Sequence, residues 1–464
     1  MKIKKGNMQF LKTMRLAAAA GLLFFTACKK SSDNVQVSKP PFQVGQAVTA
    51  TYSGGPVTGT MLSGQTYTIT SDVIVPQGDT LLLQSGVTMK IAAKVNIIVH
   101  GTFISLGTQA KPNWISTMTT HQDQAFPSIA AAEANDPALQ GLWYGISCDT
   151  TCPLFVMKWT HLEFCGATFV TAPVAGLTAA SPAWPIFYQN PNGVFVLEDS
   201  WVYGCTDDMV HITDGKVSIM RNTLEKGGGT GGDCVNLKSG TVGDVAYNLF
   251  VGDATNGSKI SNAGATAIQC NVHNYNNTYI DCGYRQSDWA GHGGSIDLEK
   301  AAKALIYNNL IVNCRVGLRI VNTADTTDSQ YGNSYFYGDS LSVANDFYSV
   351  GDATHPQSTD IPNPSSYLPA GYVEGAVYNG QSVVSVGNPM FTNFPLPNYN
   401  YQNVDYSAGF NFHLATGSPA IGKGYASFSA LAVVPVDSNF AATAITAPGS
   451  DMGCYQSNGT GNQH

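Results

Sequence analysis

A β-solenoid, built from short parallel strands wound coil upon coil, is the fold class this all-β sequence predicts, and three observations predict it. Short β-rich runs follow one another with turn residues between them and no helical spacing. Two different strand series recur on one shared period of roughly 27 residues, which is the mark of a repeat architecture. Charged residues make up only 12% of the chain, against a typical ~25%, while glycine reaches 48 of 464 positions. Low charge with many small polar residues suits stacked strands and tight turns better than helices.

The N-terminus precedes the fold. Lys2, Lys4, Lys5, Lys12 and Arg15 form a basic stretch around and ahead of the apolar residues 16–25. That apolar run is too short for a bilayer, which needs ~20 residues, and suits the core of an export signal. Phe25-Thr26-Ala27-Cys28 then sets a cysteine behind two small residues. This resembles the lipobox of bacterial lipoproteins, with Phe25 where leucine is usual. The resemblance implies a signal peptide over 1–27, lipidation of Cys28, and an outer-membrane location at the cell surface with the lipid as anchor. The competing reading is an ordinary secreted protein cut near Ala27. Residues 28–48, with Pro40-Pro41, read as a tether.

The solenoid is expected over 49–456, with regular coils from about residue 65. Tyr67-Thr68-Ile69, Val73-Ile74-Val75, Leu81-Leu82-Leu83, Met89-Lys90-Ile91, Ile97-Ile98-Val99 and Phe103-Ile104-Ser105 are its first strands, and Gly78, Gly86 and Gly101 supply turns. One strand series then ends in Asn222, Asn248, Asn277 and Asn309, at intervals of 26, 29 and 32. Asparagine tolerates the left-handed conformation of a corner, and its amide can bond the equivalent asparagine one coil away. The interleaved series runs Val210-His211-Ile212, Val235-Asn236-Leu237, Ile268-Gln269-Cys270, Ile296-Asp297-Leu298 and Leu318-Arg319-Ile320. A sandwich would not repeat one interval in both series. Residues 323–416 fit long loops as well as further coils, and a closing segment and a 457–464 tail end the chain. Cys282 and Cys314 each lie five residues past a ladder asparagine and should stack. Cys148 and Cys152 are near enough to pair, and export permits disulfides.

The opening coils, Gly141-Leu142-Trp143-Tyr144-Gly145-Ile146, Gly417-Ser418-Pro419-Ala420-Ile421-Gly422 and Asp451-Met452-Gly453-Cys454-Tyr455 resemble β-helix lipoproteins of Bacteroidetes-type bacteria. So do Thr255-Asn256-Gly257, Tyr275-Asn276-Asn277-Thr278 and Gly283-Tyr284-Arg285-Gln286 in the middle. The resemblance spans most of the chain after the leader. It implies the pectin-lyase-like fold, a single-stranded right-handed parallel β-helix, whose members bind or cleave polysaccharide along a sheet groove.

Candidate chemistry follows from the second series. Period-two alternation turns Val210, Ile212, Val235 and Leu237 inward and His211, Asn236, Gln269, Asp297 and Arg319 outward. A polar column at the ~4.8 Å strand spacing matches an extended sugar chain, and equally a solvated face. The order Thr206-Asp207-Asp208, Gly232-Asp233, Gly291-His292-Gly293, Arg319-Ile320 also resembles polygalacturonases, which implies Asp208, Asp233, His292 and Arg319 as catalytic. Inverting hydrolysis needs two carboxyl groups flanking the bond. The pattern departs from that family at Cys234, where a second aspartate is expected, and at Val321 in place of lysine. A lyase would instead need a base and a cation, for which Lys238, Arg285, Lys300, Arg315 and Arg319 are candidates. Lys238 and Arg285 join the expected substrate contacts. Asp297 and Glu299, two apart on one face, are a candidate calcium pair, and no histidine set has zinc spacing. Trp184, Trp201, Tyr284 and Trp289 are candidate sugar platforms. With a net charge of −8 and only 23 Lys+Arg, nucleic acid is a poor partner. Two functions stand: a surface protein whose groove binds, and in one version cleaves, polysaccharide; or a non-catalytic structural or adhesive surface protein.

Overall fold

The computed structural model describes residues 43–464, apart from 119–125, 127, 265, 287–293, 322, 340–342, 344–387, 397–408 and 438–439. Everything described belongs to the unit Phe42–His464. The leader, Cys28, most of the tether, His292 and Trp289 lie outside the described residues.

Strands of two to six residues follow one another, and within the first thirty each pairs with the strand three places away rather than with its neighbour in sequence, while the last two, Phe391–Asn393 and Asn411–Leu414, pair antiparallel with each other. Three parallel ten-stranded sheets result. Sheet 1 runs from Gly55–Pro56 through Val210–Thr213, Val235–Leu237, Ser258–Ser261 and Ile296–Glu299 to Leu318–Ile320. Sheet 2 runs from Gly59–Met61 to Gln330–Gly332, and sheet 3 from Thr66–Ile69 to Tyr335–Tyr337. The chain is a parallel β-helix. Its coils begin at Gly55, earlier than the hydrophobic pattern suggests, and Val48 is already buried with the first of them.

In-register stacking makes the core. On sheet 1 Val73, Ile97, Ile146, Ile186, Val210 and Val235 lie one above another, all facing in. Ser258 follows in that column and Ile296 after it; the buried Ser258 hydroxyl is satisfied by Tyr279 Oη at 2.9 Å. On sheet 2, Phe103, Phe155 and Phe195 stack at 5.4 and 4.9 Å between ring centroids.

The asparagine ladder forms at the corner between sheets 2 and 3. Asn222 Nδ2 donates to Asn248 Oδ1 (2.9 Å), Asn248 Nδ2 to Asn277 Oδ1 (3.0 Å) and Asn277 Nδ2 to Asn309 Oδ1 (3.1 Å). Ser200 and Ser334 continue it at the two ends. The left-handed residue of the corner is the one before each rung: Asp199, Arg221, Tyr247, Asn276, Asn308 and Asn333 all have positive φ. The asparagines are there for the amide, which accepts one N–H and reaches across a coil.

Other expectations are corrected. The third strand of the second series is Ser258–Ser261, so Lys259 occupies the row where Gln269 was expected. All nine described cysteines are free and buried, Cys148 and Cys152 included. Residues 457–464 are not a free tail: Asn462 is buried and donates to Asn222 O at 3.0 Å. The segment before them crosses the side of the helix. Leu431 and Ala432 N–H groups bind Asp244, Thr443 binds Glu198, and Gly453 N–H reaches Asn308 O. A short helix, Ile129–Asn135, was not foreseen; beside it, Asp136 pairs with Lys226 at 2.9 Å. No helix among the described residues is long and apolar enough to cross a membrane.

Candidate functional site

Parts of two of the three outer faces are covered by the chain itself. On sheet 2, Leu82, Ile104, Val156 and Val196 pack under Val434 and Ala442. On the later coils of sheet 3, Leu249, Val251, Ile280, Leu310 and Val312 pack under Phe391, Phe394 and Phe412. The outer face of sheet 1 differs. Its in-register row reads Ile74, Ile98, Ser147, Phe187, then His211, Asn236, Lys259, Asp297 and Arg319. Four of the five polar positions are those the alternation pattern singles out. Lys259 was missed because Ser258 stands where an apolar residue was sought.

These side chains are not a solvated fringe. Asp297 is fully buried, Arg319 and Asn236 nearly so, and the side chains of His211 and Lys259 are 12% and 16% exposed. Burying charge costs free energy unless it is paired or used. In the last coils it is paired: Arg319 Nη1 meets Asp297 Oδ1 at 3.5 Å, and Lys259 Nζ lies 3.8 Å from Asp297 and 3.5 Å from Glu299. The Lys259 ammonium therefore occupies the position a calcium ion would need between those two carboxylates.

Two coils before Lys259 the arrangement changes. Asp208, at the turn into Val210–Thr213, accepts the Asp233 backbone N–H on Oδ1 (2.8 Å) and Asn236 Nδ2 on Oδ2 (2.8 Å). The same Oδ2 meets His211 Nδ1 at 2.7 Å. Trp184 lies flat on the imidazole, with centroids 3.8 Å apart and planes 5° apart. Burial raises the Asp208 carboxyl, but the hydrogen bond and charge of His211 outweigh it, and the net shift is downward. Burial and the Asp208 charge both push Asp233 the other way, up to about 8; its Oδ1 accepts from Asn256 Nδ2 at 2.6 Å. Asp207 is raised to about 6 by burial and by Asp208. Burial lowers His211, with Asp208 opposing, which leaves the ring neutral at pH 7. Half-buried Lys238 follows the strand Val235–Leu237, is lowered by burial, and makes no ion pair with a described residue.

The remaining expected residues separate. Arg319 stands four strands from His211, ~19 Å at the ordinary strand spacing, so the structure does not bring it to Asp208 and Asp233. Gln269 lies off the row and donates to Ala301 O and Asp325 Oδ2, both at 2.8 Å. Arg285 is buried at another corner, where it binds the carbonyls of Gly227 and Gly228 at 2.7 Å and that of Gly252. Sequence reasoning met Asp207 and Asn256 only inside motifs and gave them no role in the site, since their turn positions carry no strand signal. No family model, curated protein or solved structure matches this chain.

Proposed function

We propose that the chain is an exported surface lipoprotein whose sheet 1 face binds an extended polysaccharide. The observation that carries this is the contrast between faces: sheet 2 and the later coils of sheet 3 are packed under apolar residues from elsewhere in the chain, while the later coils of sheet 1 carry a polar row from His211 to Arg319 that starts beside Trp184 and Phe187. Aromatic rings beside hydrogen-bonding groups at a regular ~4.8 Å rise suit a sugar chain lying along the helix axis. Lipidation at Cys28, an outer-membrane address and kinship with Bacteroidetes-type β-helix lipoproteins belong to the same proposal and rest on the sequence motifs.

Affinity electrophoresis through gels containing a single polysaccharide tests the binding. The chain should be retarded by at least one polymer, and Trp184→Ala and Asn236→Ala should relieve the retardation. Equal mobility in every gel would remove the reading. Labelling of cells with a clickable fatty acid tests the anchor, since Cys28→Ala should lose all label. A second reading, a structural or adhesive surface protein, is favoured by the self-neutralised group Lys259, Asp297, Glu299 and Arg319, which needs no ligand to balance its charge.

A further inference from the structure

We propose that the Asp136–Pro137 peptide bond breaks within the folded chain and that Lys226 captures the aspartyl group. The backbone is then cut, and an Asp136–Lys226 amide holds the two pieces together. The inference is independent of what sheet 1 binds.

Lys226 follows the sheet 3 strand Thr223–Glu225, and Asp136 closes the helix Ile129–Asn135, 90 residues earlier. Lys226 Nζ meets Asp136 Oδ2 at 2.9 Å, with each side chain only 1% exposed. In an ion pair so withdrawn from water, mutual attraction barely offsets the cost of desolvation. Moving one proton from Nζ to Oδ2 along the existing hydrogen bond removes both charges and leaves a carboxylic acid facing a free amine. The Tyr203 ring lies 5.6 Å from Nζ and packs with the buried Ala138 and Phe164. The nucleophile beside the carboxyl is therefore the amine rather than water.

The neighbouring bond is suited to break. Asp136–Pro137 is the only aspartyl–prolyl bond in the chain. An aspartate carboxyl can close a five-membered ring on its own carbonyl carbon, and proline's nitrogen, part of a tertiary amide, leaves more readily than an ordinary peptide nitrogen. Two hydrogen bonds aim the reaction. Ala138 N–H donates to Asp136 Oδ1 at 2.9 Å, which holds the carboxyl alongside the link to Pro137. Leu139 N–H donates to the Asp136 carbonyl oxygen at 3.0 Å, where negative charge grows when that carbon is attacked. Aspartates in turns commonly make the first of these bonds. A buried amine already in contact with the same carboxyl is what sets this site apart, because the capturing group is held in place before the bond opens.

The exchange balances without a co-reactant. The carboxyl oxygen bonds to the Asp136 carbonyl carbon, the C–N bond to Pro137 breaks, and the carboxyl proton passes to the proline nitrogen. Asp136 is then a cyclic anhydride. Nζ bonds to its Cγ, the ring C–O bond breaks with its electrons on oxygen, and the surplus proton of the amine passes to that oxygen. One amide replaces another, so the mass of the chain is unchanged.

The test follows the purified full chain by intact mass, N-terminal sequencing and denaturing electrophoresis, fresh and after incubation until its composition is constant. Pro137 should appear as an N-terminus while the mass stays that of the uncut chain. The two pieces should not separate on the gel, and a digest should contain a branched peptide joining Asp136 to Lys226. Lys226→Arg keeps the cation but gives up no proton, so it should show neither the Pro137 N-terminus nor the branch. Pro137→Ala restores an ordinary leaving nitrogen and should cut more slowly. An unchanged far-ultraviolet circular dichroism spectrum shows that each variant is folded. Absence of a Pro137 N-terminus at every time, a mass short by one water, or separable pieces heavier by one water would each overturn the inference. So would a cut that survives unchanged in Lys226→Arg.

Discussion

Replacing Asn248 by alanine removes one rung of the corner ladder, and the cost can be worked out bond by bond. Asn248 is fully buried. Its Oδ1 accepts from the Asn222 backbone N–H (3.0 Å) and from Asn222 Nδ2 (2.9 Å), and its Nδ2 donates to Ile219 O (2.9 Å) and Asn277 Oδ1 (3.0 Å). Two of these four partners keep another bond. Asn222 Nδ2 retains Leu197 O at 2.8 Å, and Asn277 Oδ1 retains the backbone N–H of residue 248 at 2.9 Å. The Asn222 N–H and the Ile219 carbonyl lose this partner in a fully buried corner. Each buried polar group left unmet costs about 1–3 kcal/mol, so the loss should be roughly 2–6 kcal/mol. Asn248→Ser keeps an oxygen near the Asn222 N–H, as Ser200 does for Thr160 N–H at 3.2 Å, and should cost about half as much. Urea unfolding followed by circular dichroism measures both variants, with an unchanged slope required before midpoints are compared. Amide exchange at Asn222 supplies a local readout that does not depend on two-state unfolding. A loss below ~1 kcal/mol for alanine, or a serine variant no better than alanine, would refute the claim that the ladder satisfies this corner.

Other outcomes follow from the same structure. Burial raises Glu163 from its ordinary 4.5 to about 7, with the Ser116 hydrogen bond opposing. A carboxyl raised in the folded state contributes stability below its unfolded pKa and loses it as pH rises through the folded one. Relative to Glu163→Gln, the wild type should therefore lose roughly 3 kcal/mol as pH rises from about 4.5 through 7, read as a shift in melting temperature; parallel curves would contradict this. Glu198 is fully buried and binds Thr443, Lys158 and Arg221. Glu198→Ala leaves two buried cations short of a partner, at a cost of about 3–5 kcal/mol, and limited proteolysis should first cut near Thr443. The nine described thiols are buried, so a thiol reagent should modify them only after denaturant is added.

What could be read in advance follows the physics of each signal. The period was legible because Asn222, Asn248, Asn277 and Asn309 must repeat to bond one another, and because Val210, Val235 and Ile296 must repeat to stack. Lys259 was not, since its strand starts with Ser258 and the true intervals along the row are 23 and 38, not 33 and 28. A coil that carries an inserted loop breaks the spacing without breaking the stack. The Asp208–His211 contact was within reach, three residues apart, but its direction was not, because sequence cannot say which carboxylate oxygen is already taken. The segment crossing sheet 2 gave no pattern at all. It meets strands far away in sequence through scattered bonds such as Leu431 to Asp244, 187 residues apart, and Thr443 to Glu198, 245 apart, and isolated contacts have no period.

That segment also bears on where a ligand can go. A parallel β-helix offers three similar outer faces, and here each bears a different chemistry. The sheet 2 face is an apolar stripe that would be an exposed patch if Val434 and Ala442 did not lie on it. The late sheet 3 face is closed in the same way by Phe391 and Phe412. Sheet 1 changes within itself, from Ile74 and Ile98 through Phe187 to a charged run that begins at His211. The change falls where the carboxyls of Asp208 and Asp233, one coil apart and both buried, are shifted in opposite directions. Groups that are merely solvated have no reason to diverge in this way. Divergence of neighbouring titratable groups is what assigns acid and base roles in a site, and along this row it occurs where His211 meets Asp208, two coils before the ion pairs that close the charge balance.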